Sequence, residues 1–170
     1  MLAVTIIFSL LVCTFYMCMN TANIYIVLTD GLNERVGVIL TAQDADVLTD
    51  YFHADFLNND VALQSAFNGT SAFGAYNVTD YDYVISVESI WAWPWDPSAT
   101  ATVTERVRNI KGNVLASRKG DVSDELPVWQ GGKYDLTLVR SNGKWKITGM
   151  KQTGIIVEEK AEPTAAPKEE

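Results

Sequence analysis

The N-terminal stretch of this sequence is apolar and carries no charge. All 21 acidic and 13 basic residues lie at Asp30 or beyond. The apolar run extends from Leu2 to Leu28, which is longer than the roughly 20 residues that an α-helix needs to cross a bilayer. Its only strongly polar members, Asn20 and Asn23, lie toward its C-terminal half. The run therefore predicts a single membrane-spanning anchor over residues 1–29.

Three other interpretations of the run remain open, and the residues favour each of them less. A cleavable signal peptide has a basic start, a shorter apolar stretch and a cleavage site of small residues, and this run has none of these. A lipoprotein signal needs a small residue immediately before the lipidated cysteine, whereas Val12 precedes Cys13. A buried core helix is rarely this long without a single charge.

Few residues bear on orientation and compartment. Lys and Arg near a span mark its cytoplasmic side, and Arg35 is the only one close to this run. Because almost nothing precedes the span, we expect the N-terminus in the cytoplasm and the following domain on the extracytoplasmic side. Cys13 and Cys18 lie inside the run, where they predict neither a disulfide framework nor a soluble metal site.

The composition beyond the run argues against several classes of protein. The net charge is −8 and there is no strongly basic patch, which disfavours nucleic-acid binding because such proteins must neutralise phosphates. The chain has one histidine, no cysteine beyond the run and no glycine-rich phosphate loop. The sequence therefore predicts no metal site and no cofactor.

The region after the anchor predicts helices. Residues 30–40 form an apolar-periodic connector or helix, and Thr41 resembles an N-cap with Asp44 three residues later. The segment NNDVALQSAF predicts a short helix of its own. Before it, from Asp44 to Asn58, apolar residues recur at spacings of three and four, which is typical of an amphipathic helix. These apolar residues are Val47, Leu48, Tyr51, Phe52 and Phe56.

The period changes to two in the rest of the domain, which predicts half-buried antiparallel strands. Tyr81–Trp93 and Ala99–Arg108 alternate in this way, and IKGN is interpreted as a turn into a further strand, VLAS. KYDLTLVR and KWKITGM flank Asn142-Gly143, a strong hairpin signal because both residues tolerate positive φ. We place the domain at residues 41–154, followed by a disordered acidic tail at 155–170 without aromatic residues.

This layout resembles the NTF2-like (cystatin-like) superfamily of α+β domains. LTDYFHADFLNND matches its long first helix, YDYVISVESI and TATVTERVR its two long paired strands, and KYDLTLVRSNGKWKITGM its closing hairpin, in which Trp145 and Ile147 share one face. The resemblance covers roughly residues 41–152 and implies a cone of helices packed on a curved antiparallel sheet. With a single span in front, the chain is also loosely similar to VirB8-type assembly proteins of secretion and conjugation machinery.

The resemblance implies a non-enzymatic, membrane-anchored domain that mediates protein–protein interaction or the assembly of a membrane complex. Its partners would be a membrane protein or a second copy of the chain, in addition to the lipid bilayer. The alternative is a small-molecule-binding protein, or a SnoaL-like or isomerase-like enzyme, that uses the cone as a pocket. Residues expected to line such a pocket are Tyr81, Tyr83, Phe52, Phe56 and Trp145.

His53 and Asp50 are the catalytic candidates that the sequence offers, although no full catalytic constellation accompanies them. A histidine titrates near neutral pH and can act as a general base, and Asp50 lies three residues earlier on the same helical face. The simpler interpretation is a solvated histidine on the polar side of its helix. Asn68 and Asn77 match the glycosylation acceptor pattern, which matters only in a eukaryotic secretory compartment.

Three of the five tryptophans lie in the segment IWAWPWDP. The period of two places Trp91 and Trp93 on the apolar face of their strand and predicts that both are core residues. Pro94 and Pro97 cannot donate to a sheet, so the strand should end there and Trp95 should lie exposed on a turn. Such a ring is a candidate anchor for a protein partner or for lipid headgroups, and all three tryptophans are candidate partner-binding residues.

Overall fold

A single 40-residue helix, α1 (Leu2–Thr41), opens the computed structural model, which describes residues 2–156. This helix is long and apolar enough to cross a membrane, and its most apolar window is not buried by the rest of the chain. All side chains from Leu2 to Met19 are exposed. Residues 30–40, expected as connector or helix, form the last turns of α1. In the second part of the helix one stripe is fully buried against the domain. Its residues recur every four positions and are Ile24, Leu28, Leu32 and Val36.

Four antiparallel strands form one open sheet with the order β1-β2-β3-β4. They are β1 (Tyr76–Ala92), β2 (Ser98–Val114), β3 (Gly131–Ser141) and β4 (Lys144–Ile156). The chain is therefore an α+β protein, as predicted, built from a long N-terminal apolar helix and an antiparallel sheet.

The tight turn predicted between β3 and β4 is confirmed. Asn142 and Gly143 have φ angles of 50° and 80°, the positive values that a two-residue hairpin turn requires. At the other end of β4, the strand includes Ile155 and Ile156, which the sequence had assigned to the tail. The rest of the predicted tail, residues 157–170, lies outside the described residues.

The prediction of one amphipathic helix over Asp44–Asn58 is wrong. The structure has a 3₁₀ helix over Ala45–Asp50 and then α2 (Ala54–Asn59). The helix is interrupted because the chain between them pairs with β4, where His53 N donates to Ile147 O at 2.9 Å. This pairing with a distant strand overrides the local period. The shorter helix predicted next is present as α3 (Val61–Phe67).

Thr41 is not an N-cap, contrary to the sequence prediction. It is the last residue of α1, and its hydroxyl donates to Gly37 O at 2.8 Å. Asp44 is the capping residue instead, because its carboxylate accepts a hydrogen bond from Asp46 N at 3.0 Å at the start of the 3₁₀ helix.

The prediction of a turn at IKGN is also wrong. β2 continues through these residues and ends at Val114. A Cβ atom at Gly112 would lie 2.4 Å from Asn77 O of β1, so the glycine permits a close approach of the two strands rather than a turn. The change of face occurs at Asn109, where φ is 51° and the register of the two strands shifts.

A β-bulge at Glu88 interrupts the alternation of β1. Val87 pairs with Val103, whereas Ser89 pairs with Thr102, so β1 has one residue more than β2 at this point. An extra residue in one strand reverses the faces to which all later side chains of that strand point.

The bulge overturns the prediction that Trp91 and Trp93 are core residues. From Tyr81 to Val87, before the bulge, the odd-numbered residues of β1 are the more buried ones, as the sequence predicts. After it, the even-numbered residues face inward, and Ala92 at the end of the strand is buried. Trp91 is 61% exposed and Trp93 is 39% exposed.

Candidate functional site

Three indole rings form a continuous aromatic patch at the end of β1 and on the turn that leads to β2. Trp93 stacks on Trp95, with ring centroids 5.1 Å apart and an angle of 21° between the planes. Trp91 meets Trp93 edge-on, with centroids 5.4 Å apart. Trp95 is 73% exposed, as predicted for a residue on the turn. We call these three residues the tryptophan surface.

The turn that carries the tryptophan surface is held by its own hydrogen bonds. The Asp96 carboxylate accepts from Ser98 N at 2.8 Å and from the Ser98 hydroxyl at 2.6 Å, and these bonds lower the pKa of Asp96. Pro97 O accepts from Arg140 N at 2.7 Å, which ties the turn to β3. The rings are therefore presented by a fixed turn rather than by a loose loop.

A buried ion pair connects α1 to α3. Arg35 Nε donates to Asp60 Oδ2 at 2.6 Å, and Arg35 Nη2 donates to Asp60 Oδ1 at 3.1 Å. The two side chains are only 9% and 6% exposed. The same carboxylate caps α3 by accepting from Ala62 N and Leu63 N. Asp60 thus fixes both the start of α3 and its position against α1.

Glu105 adds a second buried carboxyl group next to this pair. Its side chain lies on β2, is fully buried, and accepts a hydrogen bond from the Tyr83 hydroxyl at 3.5 Å. Its other oxygen, Oε1, is buried without a hydrogen bond of good geometry to any residue in the described range, and the Trp129 indole is close enough to help lower the pKa of this carboxyl group. Burial raises the pKa of Glu105, while the positive charge of Arg35 opposes this shift. Burial, together with the charge of Glu105, raises the pKa of Tyr134 to about 12. We call Arg35, Asp60 and Glu105 the ionic cluster.

An open groove of about 460 Å³ lies beside the ionic cluster. Arg35, Asp60 and Tyr134 are among its polar lining residues, and Phe56 and Met150 are among its apolar ones. Its volume falls within the range of small-molecule pockets, roughly 300–1,000 Å³. Within residues 2–156, no three His, Cys, Asp or Glu side chains come close enough together to hold a metal ion.

The two catalytic candidates lie outside this groove. The imidazole Nδ1 of His53 accepts from Asp55 N at 3.4 Å and caps α2. Asp50 is exposed and accepts from Lys144 Nζ at 3.5 Å. Each side chain thus has a local structural contact of its own, and neither lines the groove.

The residues expected to line a pocket are divided between the core and the groove. Phe52 and Trp145 are 1% and 3% exposed and fill the interior. Phe56 stacks on Phe52 at a centroid distance of 5.0 Å and reaches the groove. Tyr81 and Tyr83 are partly buried on the inner face of β1.

Sequence reasoning missed the three residues of the ionic cluster, although each left a signal. Glu105 occupies an odd position of β2 among Ala101, Val103 and Val107, so it is a charge on an otherwise apolar face. Arg35 is the single basic residue of an apolar-periodic segment, and Asp60 immediately precedes a short helix, which is the usual N-cap position. No sequence pattern could show that these three residues meet.

No protein-family model matches the chain, and a search of curated proteins gave no significant match. The resemblance to the NTF2-like superfamily therefore rests on the pattern of helices and strands alone.

Proposed function

We propose that this chain is a membrane-anchored, non-enzymatic domain of the NTF2-like kind that mediates protein–protein interaction in the assembly of a membrane complex. The observation that carries the proposal is the continuity of α1. The same helix is exposed and apolar from Leu2 to Met19 and forms the core of the domain from Ile24 to Val36. With no break between span and domain, the domain is held at a fixed height and rotation relative to the membrane.

A rigid link between span and domain suits a protein that positions a partner better than an enzyme that acts on a soluble substrate. A partner that meets the domain in the same membrane gains from the fixed geometry, because less freedom is lost on binding. The contacts of His53 and Asp50 also favour this function, since both side chains serve local structure. In this proposal the N-terminus is cytoplasmic and the domain is extracytoplasmic.

The two cysteines provide a direct test of self-association. Cys13 and Cys18 are exposed on the span, and five residues along an α-helix place them about 140° apart on its surface. Oxidative cross-linking of the full chain in membranes, with Cys13→Ser and Cys18→Ser as matched single variants, shows which face of the span meets another copy. We expect one cysteine to cross-link efficiently and the other poorly.

A partner other than a second copy requires a second arm of the same experiment. A photoreactive amino acid on exposed positions of the domain, in the native membrane, should give one discrete cross-linked product that depends on the position of the probe. A chain that is monomeric in nanodiscs, and that gives no cysteine cross-link and no position-dependent product, contradicts the proposed function.

The groove beside the ionic cluster favours a second candidate function, the binding of a small molecule. Its polar lining, which includes Arg35, Asp60 and Tyr134, offers charge and hydrogen bonds, and Met150 offers an apolar contact. Ligand screening of the full chain in detergent by thermal shift tests this candidate. Binding that is lost in Met150→Trp, which fills the groove, supports it, whereas Trp95→Phe should leave such binding unchanged.

A further inference from the structure

We infer that the tryptophan surface is a second membrane contact, which rests in the headgroup region of the bilayer that α1 crosses and binds a surface containing anionic phospholipid. The inference rests on the membrane anchoring in the proposed function. It adds a partner of stated chemistry for Trp91, Trp93 and Trp95, and it assigns the surface to lipid rather than to a protein.

The direction of α1 relative to the sheet is the first step. The last residues of α1, Val38–Thr41, share a cleft with Tyr76–Val78 at the start of β1. Earlier in the helix, a Cβ atom at Gly37 would lie 3.3 Å from the Tyr81 hydroxyl. α1 and β1 are therefore antiparallel, and lower-numbered residues of α1 lie alongside later residues of β1. Traced toward its N-terminus, the helix runs toward the β1–β2 turn.

The second step is to find which residue of α1 lies level with the β1–β2 turn. Gly37 lies beside the Tyr81 hydroxyl of β1. Two residues earlier in the helix, the charge of Arg35 acts on Glu105, which pairs with Ile85 of β1, so Arg35 and Ile85 lie at about one level. Fifteen helical residues back from Arg35 to Asn20 span about 22 Å, and seven strand residues from Ile85 to Ala92 span about 23 Å. The tryptophan surface thus lies level with Asn20, the point at which the exposed apolar part of α1 ends.

The length of that exposed part agrees with a membrane boundary at the same level. The 18 residues from Leu2 to Met19 rise by about 27 Å as an α-helix, close to the roughly 30 Å of the hydrocarbon core. The second hairpin supports this placement independently, because Gly143 and Lys144 share a cleft with Asn23 and Val27 of α1. Both hairpin turns of the sheet therefore lie at the end of the domain from which the span emerges.

The chemistry of this end fits a lipid surface. Tryptophan is enriched at membrane–water interfaces, where its ring is partly apolar and its N–H can be hydrated. Arg140 and Lys144 flank the turn region on β3 and β4 and are exposed, and basic residues near a bilayer attract anionic headgroups. Of the acids at this end, Asp96 is engaged with Ser98 inside the turn. Asp50 is paired with Lys144 at 3.5 Å, so Arg140 carries more of the attraction to headgroups than Lys144 does.

Fluorescence quenching in vesicles tests the inference on the full chain. The chain is reconstituted into vesicles of equal parts phosphatidylcholine and phosphatidylglycerol, in which one lipid is brominated near the headgroup end of its acyl chains. Trp129 and Trp145 are 9% and 3% exposed inside the domain, so they contribute a background that must be measured separately. The triple variant W91F/W93F/W95F isolates this background, and Trp129→Phe is the matched control.

We expect the brominated lipid to quench the wild-type chain and the Trp129→Phe variant, and the triple variant to lose most of this quenching. The inference is overturned if bromolipid leaves the wild-type emission unchanged while aqueous acrylamide quenches the part of the emission that the triple variant lacks. Exposure to acrylamide without quenching by bromolipid is also the result expected if the tryptophan surface binds a protein partner. A separate measurement tests the two basic residues. We expect the double variant R140Q/K144Q to show less bromolipid quenching in the anionic vesicles. The matched variant R118Q/K119Q, at the opposite end of the sheet, should not.

Failure of this inference can be separated from failure of the proposed function. A membrane-impermeant maleimide labels Cys13 and Cys18 only if α1 is not inserted, so labelling of both would refute the anchor itself. Protection of both cysteines without bromolipid quenching refutes the tryptophan contact alone. If bromolipid quenches the emission but the chain cross-links to no partner, the contact of the tryptophan surface with lipid is supported and the proposed assembly function is refuted.

Discussion

The burial of the two halves of α1 is the opposite of what their composition suggests. The first half, Leu2–Met19, has no charge and is exposed throughout. The second half, Asn20–Thr41, contains Arg35 and yet supplies much of the domain core. Hydrophobic content alone therefore does not determine which part of a helix packs inside the protein. The second half is buried because its apolar stripe faces a sheet and its one cation meets a carboxylate.

Removal of the guanidinium group of Arg35 tests this explanation most severely. Arg35→Ala leaves Asp60 buried without its partner, which should lower the free energy of unfolding by about 3–5 kcal/mol. Urea unfolding of the full chain in detergent micelles, followed by the fluorescence of the buried tryptophans, measures the loss. The double variant R35M/D60N keeps an N-cap on α3 without the buried charges and should recover part of it. An Arg35→Ala variant as stable as the wild type would show that the pair does not hold α1.

A pair of leucines compares the two halves directly. Leu28 is fully buried, whereas Leu11 is 63% exposed. Leu28→Ala should lower the free energy of domain unfolding by about 2–5 kcal/mol, while Leu11→Ala should change it by less than about 0.5 kcal/mol. Both are measured in the same detergent by urea unfolding. Equal losses would mean that the first half also packs on the domain in solution.

Two glycines refine the comparison within the second half. A Cβ atom at Gly31 would lie 2.7 Å from Tyr51 Cβ, which cannot move independently of the backbone. Gly31→Ala should therefore cost about 1–3 kcal/mol. At Gly37 the nearest atom is the end of the flexible Gln43 side chain, and alanine favours a helix by about 0.5–1 kcal/mol. Gly37→Ala should be close to neutral, and a larger loss at Gly37 than at Gly31 in thermal unfolding would reverse this assignment.

The charge state of Glu105 gives an effect that depends on pH. Burial raises its pKa in the folded state above the unfolded value of about 4.3. Its contribution to stability is then complete below the unfolded pKa and is lost as pH rises through the folded pKa. Glu105→Gln cannot ionise, so its stability relative to the wild type should increase with pH. Denaturant unfolding of both proteins between acidic and alkaline pH checks this, and a difference independent of pH would contradict it.

Local signals in the sequence predicted the features that depend on neighbouring residues. The apolar run indicated a long helix, and Asn142-Gly143 specified its turn because positive φ is a property of those residues themselves. The odd face of β2 was also predictable, since Ala101, Val103 and Val107 alternate without interruption before Asn109.

Features that depend on pairing with distant residues were not predictable. The break in the helix at His53 requires Ile147, which lies in the last strand. The ionic cluster draws Arg35, Asp60 and Glu105 from a helix, a helix cap and a strand that no local period connects. Among the candidate site residues, Trp95 was placed correctly because proline ended its strand.

Because of the bulge at Glu88, the number of residues in β1 determines which side chains at its end face outward. The identity of those side chains does not. Deleting that one residue would turn Trp91 inward and Ala92 outward without changing any amino acid in the turn. Homologous strands that differ by a single insertion can therefore present opposite surfaces from the same local motif. In a search for related proteins, the spacing between Val87 and Trp91 should be a better criterion than the presence of the tryptophans.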